Sequence, residues 1–206
     1  MPRNVKLNEQ MRAETRQKIL TTATDLFSQQ GFFNVRIAEI AARASMSPGN
    51  IYWYFTSKEE ILKAILEGLF QAYDQMLIQA ATYPGSGLEK IRRLIELQIL
   101  MLEDHGQHMN IFMSILGHDK PVLMQKLGFD TVRIGLGFHQ HIRSIFEAAI
   151  QEGVLPSQPP DALAVLYFSF FNGLLITYGE EWKRMVSPDL ITTAVLRLLG
   201  FQIEAS

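Results

Sequence analysis

Cysteine is absent from the 206-residue chain. Its absence excludes disulfide bonds, thiolate metal sites and thiol nucleophiles. The Gly-Lys-Ser/Thr phosphate loop, the Gly-x-Ser-x-Gly elbow and the His-Glu-x-x-His zinc motif are missing as well. No stretch alternates apolar and polar residues as a strand does, and no internal repeat occurs. We therefore expect an all-α protein that is not an enzyme and that uses no cofactor.

Long uninterrupted apolar runs are scarce too. The longest, residues 162–178, contains Ser169 and Asn172 and is short for a bilayer span. The first residues, Met1 to Lys6, lack the apolar core of a signal peptide. These features predict a cytoplasmic protein with no membrane partner.

Charge is distributed unevenly along the chain. Residues 1–63 hold nine Lys or Arg and six Asp or Glu, whereas the remainder holds ten and fifteen. A basic excess at one end is typical of a module that binds nucleic acid phosphates. Arg3, Lys6 and Arg12 lie at the very start, where they form either a solvated, frayed terminus or a basic arm on the DNA backbone.

The segment from Ser45 to Lys58 has the features of a helix that reads DNA. Ser47 is a good N-cap, and Pro48 suits the first helical turn because its missing N–H needs no partner there. Ile51 and Phe55 are four residues apart, so they share an inward face. An ordinary amphipathic helix with surface aromatics is the alternative interpretation.

The outward residues of this helix suit a DNA groove. Gly49 has no side chain, so its backbone can approach another surface closely. Asn50 is of a type that reads adenine edges, and tyrosine hydroxyls such as those of Tyr52 and Tyr54 bond phosphate oxygens. Apolar periodicity predicts two helices before it, at residues 14–30 and from Ile37, with Asn34 as the cap of the second. Three short helices with a tight turn predict a helix-turn-helix DNA-binding domain over residues 1–56.

Two stretches carry a family resemblance: GFFNVRIAEIA from Gly31, and MSPGNIYWYFTSKEEIL from Met46. Together they resemble the N-terminal domain of TetR/AcrR transcriptional regulators. The resemblance implies a homodimer that binds a palindromic, double-stranded DNA operator and usually represses. It also implies base contacts from positions 48–50 and mainly backbone contacts from positions 52–54 and 58. The predicted DNA-binding residues are Arg36, Ser47, Pro48, Gly49, Asn50, Tyr52, Trp53, Tyr54 and Lys58.

Two positions depart from the family pattern. Arg36 stands where a hydroxyl residue usually caps the second helix, and it cannot cap, although it can reach a phosphate or a base. Ser45 stands where glycine is usual, so it must either adopt a left-handed conformation at modest cost or bend the turn differently.

Residues 57–206 are expected to form a larger helical domain for ligand binding and dimerisation. Ser57 and Glu60 form a capping box that begins a long helix. Breaks are expected at Gly106 and Gly117, and Asp161 is the expected cap of a later helix. Methionines and aromatics are mostly core residues, but they also line adaptable apolar pockets. With the resemblance, they predict a site for a small apolar or amphipathic effector, for which the candidates are Met101, His105, Met109, Phe112, Met113 and Phe138.

The histidines of this region permit another interpretation, a helical enzyme or metal sensor. His105, His108, His118, His139 and His141 cluster along the middle of the chain. His139 and His141 are two apart on a presumed helix, so their side chains point in different directions and suit a shared metal poorly. Surface or core histidines are therefore favoured.

Residues 163–176 are apolar nearly all round, so that helix must be buried on every side. In a domain of this size, one side can face the core and the other a second copy of the chain, and burial within a single chain is the alternative. The last helix, from Pro188 to Ile203, offers a matching apolar stripe. The predicted homodimer interface is formed by Phe168, Phe171, Leu175, Ile191, Val195 and Leu198.

Overall fold

The computed structural model describes residues 2–118 and 120–201, and it describes side chains at residues 7–116, 122–179 and 181–201. These residues contain no strand, and the all-α prediction is confirmed. The helices are α1 (Pro2–Gln30), α2 (Ile37–Arg43), α3 (Pro48–Tyr54), α4 (Lys58–Ala81), α5 (Gly87–His118), α6 (Lys120–Lys126), α7 (Thr131–Gln151), α8 (Pro160–Tyr178), α9 (Trp182–Met185) and α10 (Pro188–Leu198).

The chain folds into two compact units. The first consists of residues up to Leu69 together with Gln107–Gly128, and the second of Phe70–Gly106 together with the chain from Phe129 onward. The change of unit falls inside α4 and again inside α5, so both helices contribute to each unit. The domain boundary that the sequence suggests after residue 56 remains a prediction.

The first unit is built on α1, which is longer than the periodicity predicted. It begins at Pro2 rather than near Glu14 and spans 29 residues. Its predicted apolar face, Ile19 with Ala23 and Phe27, is buried with Ile40 of α2 and Ile51 of α3. Gly31 ends the helix at a φ of 80°, a left-handed conformation that costs glycine little. Arg3 and Lys6, for which the sequence left a frayed terminus or a basic arm as alternatives, lie outside the described side chains.

The connections around α2 correct one expectation and decide another. The N-cap of α2 is Arg36 and not Asn34, whose amide donates instead to the carbonyl of Gln30. A guanidinium has no acceptor, so the cap is made in the reverse direction, with Glu39 accepting from the Arg36 N–H at 2.6 Å. Ser45 adopts the left-handed conformation, with a φ of 57°, so the turn keeps its shape at a modest cost.

The second unit shows where packing overrides glycine. Helix α5 continues through Gly106, where a break was predicted, and it reaches His118. Gly106 is buried, so tertiary contacts maintain the helix despite the low helix propensity of glycine. The N-cap of α8 is Pro159, which places Asp161 in the first turn instead of at the cap. Helix α10 ends at Leu198, and the last two residues of the predicted helix, 202 and 203, lie outside the described chain.

Two buried tyrosines of the second unit form hydrogen bonds across helices. The Tyr73 hydroxyl donates to Oε1 of buried Gln98 at 2.8 Å, and the Tyr167 hydroxyl donates to the Leu94 carbonyl at 3.3 Å. Burial raises the pKa of both phenols, because a phenolate would lose its hydration. Gly87 allows α5 to approach α7, since a Cβ there would lie 2.5 Å from the Ala149 Cα.

Helix α8 divides into a buried face and an exposed apolar face. Phe171 and Leu175 lie within the core, at 3% and 1% exposure, while Val165, Leu166 and Ile176 are exposed. The choice of Phe171, Leu175, Ile191 and Val195 as the dimer seam was therefore wrong, because these side chains are already buried within their own chain. Leu198 is exposed and Phe168 is half-buried, so only these two of the six retain area for a partner.

The composition of α8 is also compatible with a membrane span. It has 19 residues, and its mean hydropathy over an 18-residue window is 1.4. By length and composition it could therefore cross a membrane, contrary to the prediction that this stretch is too short. Core helices of soluble proteins meet the same criterion, so this is weak evidence.

Candidate nucleic-acid interface

Helix α3 is short, and local bonds define both of its ends. Ser47 Oγ accepts from the Asn50 N–H at 3.2 Å, and Pro48 occupies the first helical position. The helix ends at Tyr54, and the backbone of Phe55, which follows it, is extended. Ile51 and Phe55 are 0% and 1% exposed, so they anchor α3 in the core of the first unit, as predicted.

The opposite face of α3 presents the predicted DNA-binding residues to solvent. Ser47, Pro48, Gly49 and Asn50 are all exposed, and Ser47 still has its hydroxyl proton to donate. A Cβ on Gly49 would meet nothing closer than Ser47 Oγ at 3.8 Å. Nothing within the described chain therefore requires glycine at this position, which directs attention to an external surface.

The aromatic residues of α3 form an ordered exposed cluster. Tyr52 and Trp53 are 54% and 62% exposed, and Tyr54 is half-buried. Trp53 and Tyr54 pack edge to face with centroids 4.8 Å apart. The guanidinium of Arg12 lies over the Trp53 ring, 4.4 Å from its centroid. Sequence reasoning missed this contact, because Arg12 lies 41 residues before Trp53 in the chain.

Arg36 and Lys58, the two predicted basic contacts, have different environments. Arg36 is exposed, and its guanidinium has no partner among the described residues. Lys58 donates instead to the backbone carbonyls of Phe32, Phe33 and Val35, at 2.7, 3.3 and 2.8 Å. An ammonium has three hydrogens, so these carbonyls use its whole donor capacity. Partial burial lowers the Lys58 pKa, an effect opposed by the charges of Glu59 and Glu39. Lys58 therefore holds the turn before α2, a role that the sequence did not predict.

The start of α4 has most of the predicted capping box. Ser57 Oγ accepts from the Glu60 N–H at 3.1 Å. Glu60 reaches back one residue further than expected, to the backbone N–H and hydroxyl of Thr56. These two hydrogen bonds lower the pKa of Glu60, because they stabilise its carboxylate. Helices α3 and α4 are thus joined by a connection that side-chain hydrogen bonds fix.

The six predicted ligand residues divide between the two units. Within the second unit, Met101 and His105 line a cleft of about 470 Å³ with Gln75, Ile78 and Asp104. Phe138, in the same unit, packs instead against Tyr73, with centroids 4.8 Å apart. Half-buried Met109, Phe112 and Met113 belong to the first unit.

Two of the five central histidines, His139 and His141, each lie near one carboxylate. His139 Nε2 lies 3.0 Å from Asp161 Oδ1, and His141 Nε2 lies 3.5 Å from Asp74 Oδ1. Nowhere in the described part of the chain do three or more histidine or acidic side chains converge as metal ligands would. This arrangement does not support the metal-sensor alternative. The side chain of His118 is not among those that the structure describes.

Comparisons with known proteins agree with this geometry. The family model described as "Bacterial regulatory proteins, tetR family" matches residues 19–65. HbdR of Aromatoleum sp. (strain CIB), an HTH-type transcriptional regulator, is 39% identical over 34% of this chain and 32% of its own length. TtgR of Pseudomonas putida, also named an HTH-type transcriptional regulator, is 26% identical over 86% of this chain and 83% of its own.

The fold as a whole also has solved counterparts. The structure of AibR in complex with isovaleryl coenzyme A and operator DNA covers 90% of this chain and 97% of its own, with a TM-score of 0.67 and 19% identity. The exposed face of α3 and these relatives define a helix-turn-helix DNA-binding transcription regulator, which is not an enzyme. Residues 19–65 therefore match the N-terminal domain of the tetR family, and the chain is similar to regulators of that family.

Proposed function

We propose that the chain is a cytoplasmic homodimeric repressor that binds a palindromic operator and is released by a small apolar or amphipathic ligand. The observation that carries the DNA-binding part is the division of α3, with Ile51 and Phe55 in the core and residues 47–53 otherwise at the surface. A helix anchored in this way presents one fixed set of side chains to a major groove.

The base-reading role rests on Gly49 and Asn50. Asn50 is exposed and its side-chain amide has no partner in the described structure, so both its donor and acceptor can meet an adenine edge. Gly49 lets the helix backbone approach without a side chain between. Tyr52, Trp53 and Arg36 lie exposed where backbone phosphates can be met.

The dimer proposal rests on the second unit. A large apolar surface on two helices is uncovered. It consists of Val165, Leu166 and Ile176 of α8 and Leu190 and Leu198 of α10. Soluble monomers rarely leave such a patch in contact with water. A twofold pairing of α8 and α10 from two chains covers it and duplicates α3, so the operator has two half-sites about one helical turn or a multiple apart.

A cleft in the second unit is the proposed effector site. The cleft that contains Met101, Gln75 and Asp104 combines apolar walls with polar groups, as sites for small amphipathic molecules do. A ligand that prefers the DNA-incompetent dimer shifts the population toward it. We propose α4, which contributes to both units, as the element that transmits this shift.

A binding assay on two duplexes tests the function. The wild-type chain should retard DNA from upstream of its own gene and not a scrambled duplex. Asn50→Ala should lose about 1–3 kcal/mol of binding free energy on the operator and little on scrambled DNA, because a base contact is lost. Equal ratios of the two affinities for wild type and Asn50→Ala would show that base reading lies elsewhere.

A further inference from the structure

The N-terminal half of α1 lies beside the reading helix. A surface cleft of about 530 Å³ is lined by residues of both helices: Asn8, Glu9, Met11, Arg12 and Thr15 of α1, and Trp53 and Tyr54 of α3. Arg12 and Arg16 are four residues apart, so they share a face of α1. Each guanidinium lies over an aromatic ring, Arg12 on Trp53 and Arg16 on Phe55. Two cation–π contacts therefore fix this part of α1 relative to α3.

The two aromatic rings that these arginines contact differ in their exposure to solvent. Phe55 is 1% exposed, so Arg16 covers a core residue. Trp53 is 62% exposed and belongs to the face of α3 that approaches DNA. The Arg12 side chain is exposed too, and it has neither a hydrogen bond nor an ion pair with any residue that the structure describes.

A stacked guanidinium keeps its donors available. Its five N–H groups lie at the edge of a planar group, so they point sideways when the flat face rests on a ring. This fork suits the two oxygens of a phosphate. Lys58, the cation that the sequence predicted for this task, uses its hydrogens on three carbonyls.

We propose that Arg12 is a DNA-contacting residue, held by Trp53 so that its edge donates to the backbone phosphate beside the bases that α3 reads. This inference rests on the proposed DNA-binding function. The phosphate is that of double-stranded DNA and not of a free nucleotide, because the same Trp53 that orients Arg12 lies on the reading face. Glu9 lines the same cleft and opposes an anion there.

Salt dependence separates this contact from a merely structural brace. The probe is the duplex that the wild-type chain selects from a random pool. Each phosphate contact contributes a slope of about 0.9 to the dependence of log affinity on log salt. Arg12→Ala in a dimer removes two contacts, so the slope should fall by about 1.8. The affinity gap to wild type should then narrow by about tenfold between roughly 50 and 200 mM salt.

Three further variants sharpen the test. Arg12→Lys keeps the charge and loses the planar fork, so it should keep the wild-type slope with an affinity between those of wild type and Arg12→Ala. Glu9→Gln should strengthen binding. Lys18→Ala is the matched control, because Lys18 is exposed on α1 but is separated from Arg12 by about 120° around an ideal helix, so its slope should match wild type.

The outcomes are distinct. Arg12→Ala could instead show the wild-type slope, with a difference in affinity from wild type that salt does not change. That result would mean that Arg12 only holds Trp53 in place, and it would overturn the proposal. Equal slope losses in Arg12→Ala and Lys18→Ala would also overturn it, because the effect would then reflect net charge alone. A wild-type chain that selects no duplex would instead overturn the proposed function itself.

Discussion

Helices α3 and α8 both expose large side chains, but the exposed chemistry differs. The exposed face of α3 carries a glycine, an asparagine and the aromatics Tyr52 and Trp53, whose polar tips bond to wet, charged surfaces. The exposed face of α8 carries Val165, Leu166 and Ile176, which bond to nothing polar. The first face suits nucleic acid and the second a dry protein partner.

The difference also explains how each helix is held. Seven-residue α3 is anchored by a capped start and two core residues, which leaves the rest of its surface for function. Helix α8 is 19 residues long and buries one apolar face while leaving another exposed. Substitutions on the two faces of α8 should therefore fail in different ways, and those on α3 should leave folding intact.

The largest expected effect is that of Leu175→Asp. Leu175 is 1% exposed, so the change removes core packing and places a carboxylate among apolar side chains. The cost should exceed about 5 kcal/mol, comparable with the stability of many domains. Circular dichroism should show an unfolded or aggregated chain, and a folded, cooperative Leu175→Asp protein would contradict the buried position of this face.

The same substitution one residue later should behave differently. Ile176 is 61% exposed, so Ile176→Asp should leave the monomer folded while weakening the dimer by about 3 kcal/mol, roughly a hundredfold in its dissociation constant. Sedimentation equilibrium measures this. Val132→Asp, at an exposed apolar position on α7, is the control and should stay dimeric. A dimeric Ile176→Asp protein would place the interface elsewhere.

This pair of neighbours shows why the sequence could propose α8 as a dimer helix but could not tell which of its faces lies in the core. Both faces of α8 are apolar, so periodicity cannot distinguish the core face from the partner face. In α3, by contrast, Ser47 and Pro48 define the start, and the contrast between Ile51 and its polar neighbours identifies the faces. That helix and its exposed residues were therefore predictable from local chemistry.

Contacts between distant parts of the chain were not predictable. Arg12 meets Trp53, and Lys58 bonds carbonyls 23 to 26 residues earlier, at pairings that no local pattern encodes. At Gly106 the sequence predicted a helix break that does not occur, because burial maintains the helix despite the glycine. Both failures have one cause, the dominance of tertiary packing over propensity.

The next largest effect should come from Lys58→Met, which keeps an apolar side chain but removes the ammonium. Three carbonyls before α2 then lose a charged donor, so the free energy of unfolding should fall by about 1.5–3 kcal/mol. Chemical denaturation measures this loss. The salt slope of DNA binding should not change. A reduced slope with unaltered stability would restore Lys58 as a phosphate contact.

The smallest expected effect belongs to Gly49→Ala, and its two parts should have opposite signs. Inside the chain the new Cβ has space, so stability should stay constant or rise by up to about 1 kcal/mol. On the operator the methyl group should collide with DNA and weaken binding by about 1–2 kcal/mol. Thermal unfolding and a binding titration check both parts. Unchanged affinity would mean that the backbone at Gly49 does not approach DNA closely.

The central claim is that α3 lies against the operator, and the fluorescence of Trp53 tests it most directly. The chain has two tryptophans: Trp53 is 62% exposed and Trp182 is 1% exposed. Neutral acrylamide should therefore quench mainly Trp53, and Trp53→Phe should abolish that accessible fraction. Adding operator DNA should protect Trp53 from acrylamide, while a scrambled duplex at the same concentration should protect it much less. A chain that is fully bound to operator yet keeps Trp53 as quenchable as in free protein would contradict the account.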